Sequence, residues 1–147
     1  TKDEAERHLG TCLNELKAEQ ERLVQMEQEL ERMAAAREAR KRSYAEKQMR
    51  GEMSAQAVIQ ANDYIKRLLE QEEAQENAIE GQKSVVAQRE LSVQQAREDL
   101  VTASQELKAL EKHKEKWQDE VKKERQKKEE ENLDELAQTI FLGQSRK

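Results

Sequence analysis

The sequence has no proline, one cysteine and four glycines, and its aromatics amount to one tryptophan, two tyrosines and one phenylalanine. Proline lacks the backbone N–H and clashes with the preceding helical turn, so its absence leaves helices free to run uninterrupted. A single cysteine excludes an internal disulfide and suits a reducing compartment. Apolar residues make up 35% of 147 positions against 40% charged. That is too little apolar area to enclose a globular core, because backbone ordering goes uncompensated. No apolar run approaches the ~20 residues that span a bilayer. The net charge of −5 is mixed along the chain and offers no clustered positive face for nucleic acid.

Catalytic chemistry is missing as well. None of the glycines lies in a phosphate-cradling loop. His8 and His113 have no ligand-spaced companions, so no metal site and no cofactor are expected. The carboxylates belong to solvated helical faces, and an enzyme is not expected. The run Lys122-Lys123-Glu124-Arg125-Gln126-Lys127-Lys128, followed by Glu129-Glu130-Glu131, reads as a solvated helix surface. A chain opening on Thr1 is expected to have lost residues from its start, and no signal-peptide pattern is present.

What is present is a pair of ladders with a spacing of seven. The first is Leu9, Leu16, Leu23 and Leu30, accompanied three residues on by Cys12, Glu19, Met26 and Met33. The second is Ile65, Ile79, Val86, Val93, Leu100, Leu107 and Val121, accompanied by Leu68, Ala96, Ala103, Leu110 and Trp117. Alternating steps of three and four put a narrow stripe on one side of a helix, and only another striped helix can bury it. Cys12 lies on the stripe and reads as a small core residue.

The one convincing break is Arg50-Gly51-Glu52-Met53-Ser54. Gly51 suits a left-handed C-cap and Ser54 an N-cap. The expected fold is all-α: one antiparallel coiled-coil hairpin over residues 1–147. Helix 1 is placed at about 2–49, and a longer helix 2 at about 55–141, with a kink near Asn62 and a short C-terminal tail. Residues 37–50 hold six basic side chains against Glu38 and Glu46, whereas residues 69–80 hold five glutamates and no base. Laying these blocks side by side places residue i opposite roughly 112 − i, with Arg40 by Glu72, Cys12 by Leu100 and Tyr44 by Leu68. Residues 112–147 then have no partner within the chain, and the last ten or so are expected to fray. Yet this stretch carries Trp117 and Val121, and then Leu133, Leu136, Ala137, Ile140 and Phe141 at amphipathic helical spacing. Such a face reads as a partner site, or as one covered by residues preceding Thr1.

The segment Gly51-Glu52-Met53-Ser54-Ala55-Gln56-Ala57-Val58 with Asp63-Tyr64-Ile65-Lys66-Arg67-Leu68 resembles the YscO/FliJ family of type III secretion proteins. So do His113-Lys114-Glu115-Lys116-Trp117 and the Lys/Glu-rich stretch ending Leu133-Asp134-Glu135-Leu136-Ala137-Gln138. The layout looks closer to the injectisome YscO branch than to the flagellar one. The resemblance implies a cytoplasmic protein, peripheral to the inner membrane and monomeric alone, similar to the central stalk of rotary ATPases. Its terminal half would bind the hexameric secretion ATPase through Trp117, Leu133, Leu136, Ile140 and Phe141. Its turn half would face the membrane export gate, with Tyr64 and Leu68 matching the flagellar branch's gate-contacting aromatic and leucine. Secretion chaperones are further implied partners. The rival readings are a dimeric structural coiled-coil scaffold without ATPase binding and a secretion chaperone or escort. Gln75, Gln82 and Arg89, in the row where leucines belong, speak against the dimer.

Overall fold

The computed structural model describes residues 1–145. Two helices account for nearly all of them: α1, Lys2–Met49, and α2, Ala55–Ser145. Both are dense in Glu, Lys, Arg, Gln, Ala and Leu, whose side chains lose little freedom in a helix. α2 is unbroken through Asn62 and continues past the expected end at 141 to Ser145. Residues 146 and 147 of the expected tail lie outside the described residues.

Packing divides the chain into two compact units, Asp3–Asp99 and a second comprising Thr1–Lys2 with the residues from Leu100 onward. The first unit is the hairpin. Its turn is built as the sequence requires. Gly51 takes φ 70°, the left-handed conformation that a Cβ disfavours. The Gly51 N–H donates to the Gln48 carbonyl at 3.1 Å and the Glu52 N–H to the Lys47 carbonyl at 2.9 Å. This pair of bonds is a Schellman closure of α1. Ser54 then opens α2: its Oγ accepts from the Ala57 N–H at 3.1 Å, and its carbonyl accepts from the Val58 N–H at 3.0 Å.

The seam is narrow. Its fully buried apolar cluster is Cys12, Val93 and Ala96, with Leu9 and Leu16 packed against it. Ala61, Ile79 and Val86 are buried further along α2. Each buried valine or isoleucine contributes about 1.5–3 kcal/mol relative to leaving it exposed.

The register differs from the sequence expectation by one heptad. Cys12 packs on Val93 and Ala96 instead of Leu100. Arg37, not Arg40, reaches Glu72. Glu15 pairs with Arg89, and Glu19 with Gln82. Residue i therefore faces roughly 104 − i. The reason is geometric. A five-residue turn between Met49 and Ala55 is centred on Glu52, and that centre fixes which positions can meet. Apolar rows repeat every seven residues, so a one-heptad slip sets apolar on apolar again, and the ladders alone do not separate the two registers.

Two substitutions test this account. Gly51→Ala places a Cβ at positive φ and is expected to cost about 1–2 kcal/mol. Ala96→Leu overpacks a side chain that is 1% exposed and is expected to cost about 1–3 kcal/mol. Both are read from circular dichroism melts of the hairpin.

Candidate functional site: interaction surfaces

The hairpin seam positions its polar groups as carefully as its apolar ones. Gln82 is buried, and its Nε2 donates to the Glu19 carbonyl at 3.0 Å and to Glu19 Oε2 at 2.5 Å. Gln75 Nε2 donates to the Met26 carbonyl at 3.1 Å. Arg89 Nη1 meets Glu15 at 2.8 Å. Glu72 is buried and accepts from Arg37 Nε at 2.6 Å. Among the described residues no buried side-chain polar atom lacks a partner. Burying such groups without partners would cost more than the narrow seam recovers, so these pairs are conditions for its closure.

Arg37 is held above its ordinary basicity, first by the Glu72 hydrogen bond and then by Glu38. The sign follows directly. A raised cationic pKa contributes stability at every pH below the unfolded value and loses it only as pH rises through the folded one. For arginine that window lies far above neutrality, so this contact gives the hairpin no pH switch.

Of the expected gate residues, Tyr64 and Leu68 are both half-buried in the seam near the turn. The Tyr64 ring is flanked by two guanidinium groups, Arg40 at 5.5 Å and Arg67 at 5.7 Å. Arg40 also lies 5.9 Å from the half-buried Tyr44 ring. Tyr44 was expected opposite Leu68, but the heptad shift moves it past that position. The cluster Arg40, Tyr44, Tyr64 and Arg67 thus ties the two helices together beside the turn. More exposed apolar groups stand near it: Met49, Ile59 and Leu69, which lie off the heptad rows and were missed for that reason.

The expected ATPase-end residues all lie on α2 within the second unit. Leu133, Leu136, Ile140 and Phe141 are 54–68% exposed, and Leu142 adds to them. Ala137, Gln138, Phe141 and Leu142 line a shallow groove there. Trp117 is 63% exposed but does not share this face. Sixteen residues of helix set it ~24 Å from Leu133 along the axis and ~160° around it. The two are separate patches. Among the described residues no cluster of three metal-ligating side chains occurs, and no helix is long and apolar enough to cross a membrane.

Removing one partner of the Arg37–Glu72 pair should harm the hairpin more than removing both. Arg37→Met strands a buried carboxylate, whereas Arg37→Met with Glu72→Leu replaces the layer by apolar contacts. The expected order of melting temperatures is wild type and double variant above the single variant. A double variant melting below the single one would contradict it.

No curated protein and no solved structure matches the chain. Among protein families, the one described as YscO-like protein matches residues 1–147, the whole length. It is a structural family and not an enzyme family. The chain belongs to the YscO-like family and is a type III secretion-related protein.

Proposed function

We propose that this protein is a stalk of the type III secretion apparatus that binds the hexameric secretion ATPase and links it to the export gate of the inner membrane. The observation that carries the reading is the exposed apolar face at Leu133, Leu136, Ile140 and Phe141 on a helix of a whole-length YscO-like chain. A soluble helix that leaves such side chains in water pays in solubility unless a partner covers them. The ATPase is the partner assigned to this face, and Trp117 provides a second, separate patch in the same half. Tyr64 and Leu68 beside the turn are assigned to the gate. Secretion chaperones are escorted by the same protein, at the cytoplasmic base of the apparatus.

Such a stalk performs no chemistry itself. It biases a ring by touching different subunits differently, and a contact shifts a conformational equilibrium only by its differential affinity for the two states. Exposed charged pairs worth a few tenths of a kcal/mol allow release and rebinding as nucleotide states change.

The test is Leu136→Asp with Phe141→Asp, assayed for stimulation of the secretion ATPase. Both side chains are exposed, so helix content should stay unchanged while stimulation is lost and binding weakens about tenfold or more. Undiminished stimulation by this variant would refute the assignment. Light scattering at low micromolar concentration should give a mass near 17.2 kDa, one hairpin per particle. A stable particle of twice that mass would favour the dimeric scaffold.

A further inference from the structure

The heptad shift redistributes charge along the hairpin. In the observed register residues 37–50 lie beside roughly 54–67 of α2, where Asp63 is the one acid. The glutamates of 69–80 lie instead beside residues 24–35, which bring Glu27, Glu29 and Glu31 of their own. The turn end, residues 36–68, thus holds eight lysines and arginines against Glu38, Glu46, Glu52 and Asp63. The rest of the hairpin, 3–35 with 69–99, holds seventeen carboxylates against seven lysines and arginines. Among the described residues, Arg37 alone of the eight bases at the turn end has a carboxylate partner. The other seven are exposed.

Apolar side chains stand at the same end. Met49, the last residue of α1, is 90% exposed, and Ile59, in the second turn of α2, is 61% exposed. Met49 lies opposite the seam rows of α1 and Ile59 lies outside those of α2, so the two point outward from different helices. Ile59 is ~6 Å along α2 from Ala55. The turn itself is ~70 Å along α1 from Thr1. Exposure at this end therefore follows from the hairpin and not from where the sequence starts.

We propose that the turn end of the hairpin docks end-on to an anionic phospholipid surface. Met49 and Ile59 enter the boundary between headgroups and acyl chains, and Arg42, Lys47 and Arg50 behind them meet the phosphates. The depth fits, because interfacial apolar side chains reach ~5–10 Å into that boundary. Clustered bases are drawn to an anionic leaflet, and their attraction adds to apolar burial. The same surface repels the acidic body of the hairpin, which sets the rod upright on its turn. A protein groove is the poorer occupant. It covers one face and leaves either Met49 or Ile59 in water, whereas a fluid interface surrounds both. The proposal deepens the assignment of the turn half to the membrane side. Vesicles hold no gate protein, so the gate reading and this one fail separately.

The full chain is sedimented with vesicles of phosphatidylglycerol and, separately, of phosphatidylcholine at ~0.1 M salt. Binding to phosphatidylglycerol should be about tenfold or more tighter, and ~0.5 M salt should abolish it. Arg42→Gln with Lys47→Gln and Arg50→Gln should weaken it about tenfold or more, and so should Met49→Ser with Ile59→Ser. All five side chains are exposed, so helix content by circular dichroism should not change. Trp117 is the only tryptophan. Its emission should stay unshifted with vesicles, whereas Trp117→Phe with Met49→Trp should shift to the blue. No binding, equal binding to both lipids, undiminished binding by either variant, or a blue shift of Trp117 itself would overturn the proposal. Binding of polyglutamate in place of vesicles would assign the turn end to an acidic protein surface and overturn it too.

Discussion

Everything in the hairpin rests on a seam only two residue rows wide. With 35% apolar residues there is no second layer to fall back on. The seam therefore closes only if every polar group inside it is also satisfied. Gln75, Gln82, Arg89 and Glu72 occupy rows that a leucine-rich coiled coil would fill with hydrocarbon. Each is met by a side chain or carbonyl of α1. Such layers add little net stability, since desolvation offsets most of what the contacts return. What they add is discrimination. Sliding α2 by one heptad would bring Gln82 beside Met26 in place of Glu19 and strip Arg89 of Glu15. The apolar layers would hardly register the change.

That division of labour explains how much was legible. Helix existence and ends follow from local chemistry: no proline, a glycine suited to positive φ, a serine able to cap. The Gly51 and Ser54 contacts correspond to that reading, and α1 ends at Met49 as expected. The charge blocks point to a register one heptad from the one that the turn imposes. Long side chains reach across several positions, so Arg37 still meets Glu72 in the register observed. The turn admits only one. A five-residue connection is a harder constraint than a handful of exposed ion pairs, and it was present in the same sequence. α2 runs past Phe141 to Ser145, because amphipathic spacing marks where a face stops and not where a helix does.

The interaction surfaces were legible in part for the same reason. Heptad rows identify side chains that want a helical partner, and the rows do not say whether the partner lies in the chain. Tyr64 and Leu68 satisfy the pattern by packing in the hairpin, with Arg40 and Arg67 on the tyrosine ring. Leu107, Leu110 and Trp117 satisfy the same pattern and stay exposed. Met49 and Ile59 lie outside the pattern altogether, and only the fold reveals them as exposed apolar groups by the turn. Trp117 and the Leu133–Phe141 face share the terminal half that the family resemblance assigns to the ATPase. Helical phase separates them.

The family assignment and the geometry bear on function at different levels. Membership places the chain in type III secretion. The residues then limit what it can do there. Among the described residues no buried side-chain polar atom lacks a hydrogen-bond partner, and the seam pairs hold the two helices in register. Its remaining resources are exposed apolar side chains on α2 and long charged faces. Apolar patches of this size anchor a contact, while solvated charges orient it and let it exchange. The two patches on α2 differ in helical phase. One partner helix lying along α2 could not cover both without winding around it. Under the proposed function, two patches of different phase would serve two contacts, made to different surfaces. That asymmetry suits the proposed stalk between an ATPase ring and other components of an export machine better than a symmetric dimeric filament.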